Sequence, residues 1–134
     1  MVKKSFKPNL EAVKKIQDFV ADNLKRNNSN KNQVFKINLL IEEIIVNIVS
    51  YAFNDTKKGI INIEINTLNN KLLLKISDNG IAFNPFKDKD PDINAPLENR
   101  SPGGLGIFFV KQIAKDINYS YENGQNTISL TIEY

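Results

Sequence analysis

The chain has 134 residues, 41% of them hydrophobic and 25% charged, with a net charge of +3, the profile of one ordinary globular domain. It contains no cysteine and no histidine, which excludes disulfides, thiolate and imidazole metal sites and a Ser-His-Asp triad; any catalytic base must be a carboxylate, Lys or Tyr. The first residues lack the apolar core of a signal peptide and no stretch is long enough to span a bilayer, so the cytoplasm is the expected location.

Residues 2–6 suit a short strand, and Asn9 after Pro8 suits a helix N-cap. Leu10, Val13, Ile16, Val20 and Leu24 recur at helical spacing, predicting an amphipathic helix over 10–26. Charge is uneven: the first 36 residues hold nine Lys/Arg against Glu11, Asp18 and Asp22, a local +6, and the remainder is −3. That segment reads either as a solvated helix face with a basic tail or as a patch for an acidic protein partner. A nucleic-acid surface is not expected, because no aromatics interleave with the lysines.

A second helix is predicted over 31–53, followed by a turn at 54–59. Residues 60–68 alternate Ile61, Ile63 and Ile65 with Asn62, Glu64 and Asn66, and 71–77 alternate around Leu72, Leu74 and Ile76. These are two half-buried strands joined by Asn69-Asn70, a pair that tolerates positive φ. The segment 86–102, with Pro91, Pro96 and Pro102, has little periodicity and is expected to be either a functional lid or a mobile segment. A helix over 105–115 and two further alternating segments, at 117–121 and 128–134 with a turn at Glu122-Asn123-Gly124, close the chain. The expected architecture is one α+β domain over 1–134, a two-layer sandwich with helices on one face of a mixed, mostly antiparallel sheet.

Three polar motifs interrupt this pattern. The second helix is apolar nearly all round, yet Glu43, Asn47, Ser50 and Asn54 form one stripe at i, i+4, i+7 and i+11. The stripe either faces solvent or lines a wet pocket, since buried carboxylates and amides need partners. In a pocket, Asn47 offers a neutral oxygen to a hard cation such as Mg²⁺, and Glu43 is placed to accept a proton. Asp78 lies in phase with Leu72, Leu74 and Ile76 and so points to the core side, where an adenine amino group is a suitable donor; Asn79-Gly80 permits a turn that lets a flat ring approach. Asp-Asn-Gly is also an ordinary turn sequence, and only the phase of Asp78 argues for more. Gly103-Gly104-Leu105-Gly106 precedes an apolar helical pattern, with no acid in its first turn. Such a start can close backbone N–H groups around an anion, or serve simply as a hinge after Pro102. No Gly-Lys-Ser/Thr follows, so it is not a Walker-type loop.

Glu43-Ile-Ile-Val-Asn47, Asp78-Asn-Gly80-Ile-Ala-Phe83-Asn84-Pro85 and Gly103-Gly-Leu-Gly106-Ile resemble, in order, the N box and the two glycine boxes of the GHKL ATPase superfamily, which shares the Bergerat fold. Within it the chain looks most like the bacterial anti-sigma factor serine/threonine kinases, and its terminal Gly-Gln-Asn-Thr-Ile-Ser-Leu also resembles theirs. The resemblance implies the cofactors ATP and Mg²⁺. It makes Asn47 a Mg²⁺ ligand, Asp78 the adenine acceptor, Gly80 a shaper of the adenine site, and Gly104 and Gly106 phosphate-binding positions. Glu43 becomes the general base toward a partner hydroxyl, Thr127 a water-mediated adenine contact, and 86–102 the nucleotide lid. The implied partners are an anti-sigma antagonist protein and a sigma factor, with homodimerisation through the sheet permitted; the alternative is a non-catalytic ATP-gated binding module. Tyr51 stands where relatives often carry His. No phospho-acceptor His or dimerisation helix precedes the domain, so a sensor histidine kinase is not expected.

Overall fold

The computed structural model describes residues 1–25, 31–53, 58–87 and 104–133. Asn54, Gly103 and the greater part of the expected lid lie outside them.

Strand β1 (Val2–Phe6) leads into α1 (Glu11–Lys25) and α2 (Lys31–Tyr51). Asn9 caps α1 as expected, its Oδ1 accepting the Ala12 N–H at 3.1 Å, a contact typically worth ~1 kcal/mol. Next come β2 (Ile61–Leu68), β3 (Lys71–Asp78), α3 (Gly104–Ile113), β4 (Lys115–Glu122) and β5 (Gln125–Glu133). The strands form one sheet in the order β1-β2-β3-β5-β4. Every described pairing is antiparallel, so the sheet carries none of the parallel component that a mixed sheet would need.

Turn chemistry fixes the register. Asn69 and Asn70 take φ of 50° and 61°, and Asn123-Gly124 takes 55° and 75°; both are two-residue hairpins whose positive φ matches strand twist. The first sets Ile63 opposite Ile76 and Ile61 opposite Asp78. In β5 the partners are Ile76↔Ile128 and Asp78↔Asn126. One face of the sheet is therefore a continuous aliphatic layer through β2, β3 and β5.

The helices cover that face. Ala12, Ile16, Val20 and Leu24 of α1 and Ile37, Leu40, Ile41, Ile44, Ile45 and Ile48 of α2 are buried in one cluster with the strand residues. Each fully buried Val, Leu or Ile among these contributes roughly 1.5–3 kcal/mol of burial, which explains why α2 holds its place despite polar residues in its middle. The other face carries Asn62, Glu64, Lys75, Ser77 and Ser129 and is largely exposed or half-buried. Over the basic N-terminal segment, Lys4 Nζ lies 5.6 Å from the Phe6 ring centre and Lys3 pairs with Glu64 at 3.0 Å, so part of that charge is already engaged within the fold. No helix among the described residues is long and apolar enough to cross a membrane.

Candidate functional site

Helix α2 is the spine that brings the three motifs together. At its middle, Glu43 is half-buried against the first turn of α3: a Cβ added to Gly106 would overlap the Glu43 carboxylate. Glycine at 106 is thus what lets the carboxylate lie against that helix start. Gly104 opens α3; the helix has no acid in its own first turn, and the Glu43 carboxylate of α2 is the negative group that lies at its positive dipole end. Burial pushes the Glu43 carboxyl above its usual range, and neighbouring Glu42 adds to the push.

One turn further on, Asn47 is half-buried and its Nδ2 donates to the Glu43 carbonyl at 2.6 Å. Because a carbonyl accepts only from the nitrogen side of the amide, this bond fixes the Asn47 flip and leaves Oδ1 outside the helix's own hydrogen bonding. Ser50 is exposed. Tyr51 is 60% exposed, and its ring centre lies 5.3 Å from that of Phe83 in a tilted pair.

At the C-terminal end of α2, the chain turns against the second motif. The Ala52 carbonyl accepts the Ile81 N–H at 2.9 Å. A Cβ on Gly80 would strike that same backbone oxygen, with Ala52 Cβ only 2.9 Å away. Asn79 holds the loop from its other side, Oδ1 accepting from Ile60 N at 2.8 Å and Nδ2 donating to Lys58 O at 3.2 Å. From Glu43 to Ala52 is nine residues, or ~14 Å along the helix. One rigid element therefore separates the α3 start from the Asp78 loop, with Asn47 between them.

Asp78 is only 2% exposed, in the core-facing phase expected for it. Its Oδ1 accepts from Gly80 N at 2.9 Å and from Asn126 Nδ2 at 2.9 Å. Burial raises its carboxyl above the usual range; the two donated hydrogen bonds pull in the opposite direction and do not fully offset it.

Thr127, expected to reach the base, does not share this face. It stands opposite Ser77 in the register and points to the open side of the sheet, while Asn126 stands opposite Asp78. Side chains alternate strictly along a strand, so one position decides the face. Asn126, which sequence reasoning passed over, was marked by its phase: it lies two residues before Ile128, as Asp78 lies two after Ile76. Asn126 is 2% exposed and makes four hydrogen bonds. It donates to Asp78 Oδ1 and to Ile81 O (2.8 Å), and accepts from Phe83 N (2.9 Å) and from the Tyr119 hydroxyl (2.5 Å). Glu43, Asn47, Asp78, Gly80, Gly104 and Gly106 all sit on elements that meet along α2; Thr127 is the exception.

These residues fit ATP and Mg²⁺. Both hydrogen bonds to Asp78 end on one oxygen and leave Oδ2 for an amino group, Gly80 lets the loop close without a side chain, and Asn47 has an oxygen free of its own backbone bond. No group of three or more acidic, Cys or His side chains that could hold a metal unaided occurs among the described residues. A Mg²⁺ bound largely through phosphates and water needs none.

The family model for the histidine kinase-like ATPase domain matches residues 6–132, and the chain belongs to that family. It is similar to the serine/threonine-protein kinase BtrW of Bordetella bronchiseptica, 29% identical over 97 residues that make up 72% of this chain and 68% of that protein. It is also similar to the serine-protein kinase RsbW of Listeria monocytogenes, 28% identical over 96 residues, 69% of this chain and 61% of RsbW. The alignment thus spans about three fifths of RsbW. Among solved structures, the RsbU and RsbW domains of Rv1364c from Mycobacterium tuberculosis superpose with a TM-score of 0.67 at 13% identity, over 99% of this chain and 32% of that one. The catalytic domain of the histidine kinase ThkA gives 0.52 at 14%, over 99% and 97%. At such identities the structural matches speak for the fold alone.

Proposed function

We propose that this protein is an ATP- and Mg²⁺-dependent serine/threonine protein kinase that phosphorylates an anti-sigma-antagonist type of partner and alternates between that partner and a sigma factor. The observation that carries the reading is the placement of Glu43 against the glycine start of α3, one turn before an Asn47 amide whose oxygen the helix's own hydrogen bond leaves free. A proton acceptor, a cation ligand and an anion-binding helix end then occupy one corner of the fold. The similarity to BtrW and RsbW, both named as protein kinases, points the same way.

In this reading Asp78 holds the adenine amino group, Asn47 holds Mg²⁺ through Oδ1, and the backbone N–H groups of Gly104 and Gly106 hold phosphate oxygens. Bound Mg²⁺·ATP supplies the phosphoryl group and neutralises its charge, so the protein contributes mainly positioning and electrostatics. Glu43 accepts the proton of the partner's hydroxyl, and its raised proton affinity suits that task. The basic N-terminal segment favours encounter with an acidic partner surface.

Two measurements test this. ATP with Mg²⁺ at a hundredfold its dissociation constant should stabilise the wild type by about 2.7 kcal/mol, and Asn47→Ala should reduce that gain. Single-turnover phosphoryl transfer to a cognate partner should fall by roughly 10²–10⁴-fold in Glu43→Ala while ATP binding persists. ATP binding without transfer to any cognate partner would leave an ATP-gated binding module instead.

A further inference from the structure

We infer that Asn126, locked in place by the Tyr119 hydroxyl, is the positioning residue that makes the base end of this cleft select a 6-aminopurine over a purine without that amino group. The inference rests on the nucleotide reading above and deepens it.

The orientation of the Asn126 amide is forced by its neighbours. A backbone N–H can only donate, so Phe83 N requires the oxygen; a backbone carbonyl can only accept, so Ile81 O requires the nitrogen. With those two bonds set, the remaining lone pair of Oδ1 faces Tyr119, whose hydroxyl must therefore donate, and the remaining N–H reaches Asp78. The Asp78 oxygen that receives it also receives Gly80 N–H. One carboxylate oxygen is thus held by two donors. The carboxylate cannot rotate without breaking both bonds, and what it presents with its other oxygen is an acceptor.

An exocyclic amino group satisfies that acceptor. A purine bearing only hydrogen at the same carbon leaves a buried carboxylate oxygen unpaired, which is the costly side of a hydrogen-bond mismatch. A hydroxyl side chain at 126 could not reproduce the arrangement, because it has one hydrogen to give where Ile81 O and Asp78 each need one. Tyr119 belongs to the edge strand β4 and pairs in register with Ile128, diagonal to Asn126. Its hydroxyl bonds Asn126 Oδ1 and also meets the Phe83 backbone N–H, and it has no described hydrogen bond to Asp78 itself.

The test measures dissociation constants for ATP and for purine riboside triphosphate, both with Mg²⁺, on the full chain as wild type, Asn126→Leu and Tyr119→Phe. Wild type should prefer ATP on the order of tenfold to a hundredfold, the range of one hydrogen bond to a charged group. Asn126→Leu should bring the two constants to within about threefold of each other, and Tyr119→Phe should narrow the wild-type ratio by about threefold, as expected for one neutral hydrogen bond. A side chain that merely supports the fold would weaken both ligands by one factor and leave the ratio where it was. Should Asn126→Leu fail to fold, Tyr119→Phe decides the question alone, since it removes a single hydroxyl. An unchanged ratio in either folded variant overturns the inference while the nucleotide site stands. Wild type that binds neither triphosphate overturns the nucleotide reading and this inference with it.

Discussion

At the Asp78 end of the proposed nucleotide site, called here the base end, Asn126 has all four of its hydrogen-bonding positions filled by Asp78, Ile81, Phe83 and Tyr119. At the other end, the one hydrogen bond found for Asn47 returns to its own helix, and the Glu43 carboxylate lies against a glycine. The base end resembles a protein interior, with a closed polar network among buried groups. The far end resembles a work surface, with groups raised in energy and left with unfilled valences. Pre-organisation matters most where a ligand must be recognised in one orientation; where charge must shift during a reaction, uncommitted groups on a rigid helix serve better.

The two glycines at the opposite ends of the site offer the sharpest way to break this comparison. The atoms nearest a methyl group at 106 are the far end of the Glu43 side chain, which can swing aside, whereas at 80 the nearest is the Ala52 backbone oxygen, which cannot. Gly106→Ala should therefore fold normally and even gain up to ~1 kcal/mol from helix propensity. In the proposed kinase it should lose phosphoryl transfer by on the order of 10²-fold, because the base is displaced by an ångström or more. If Gly106→Ala unfolds the protein instead, the corner is packed as tightly as the base end and the contrast fails. Calorimetry beside single-turnover transfer reads both quantities on one preparation.

Gly80→Ala is expected to do the reverse. Its methyl group cannot fit without moving the loop that carries Ile81 N–H to Ala52 O, and overpacking of this kind costs typically ~1–3 kcal/mol. Urea unfolding should show a lower midpoint at an unchanged m-value. A wild-type midpoint would mean that the loop yields readily, and the base end would then be no more rigid than the other.

Much of this was legible in the chain. Apolar residues at helical spacing placed α1, a long run apolar nearly all round placed α2, and the alternation Ile61-Ile63-Ile65 against Leu72-Leu74-Ile76 placed the central hairpin and the phase of Asp78. Asn69-Asn70 fixed the register because two adjacent residues with positive φ fit only a tight hairpin. The site was legible less completely. The motif reading settled on Thr127, a hydroxyl in a familiar sequence context, where the strand period pointed to Asn126. The Tyr119 bond could not have been read from spacing, since it crosses from the edge strand on a diagonal that only the paired register defines. Nor could the approach of Gly106 to Glu43, because it depends on how α3 packs against α2 rather than on either sequence alone.

The smallest expected effect is on stability, and it distinguishes a group held ready from one built into the fold. Glu43 has its carboxyl raised by burial and by Glu42. A raised carboxyl binds its proton more tightly when folded than unfolded, so its contribution is favourable below the ordinary value of 4.5 and is lost as pH climbs through the raised value. At neutral pH the ionised Glu43 is therefore a net cost to the fold. Glu43→Gln, which keeps the shape and removes the charge, should melt slightly above wild type at pH 7, and the gap should close as pH falls below 4.5. The side chain is only half-buried, and solvent screening keeps the difference modest. A variant that melts lower at pH 7 would show that the carboxylate holds α2 to α3 as a structural contact. Glu43 would then belong with Asp78 and Asn126 among the residues that build the site rather than with those left free to act in it.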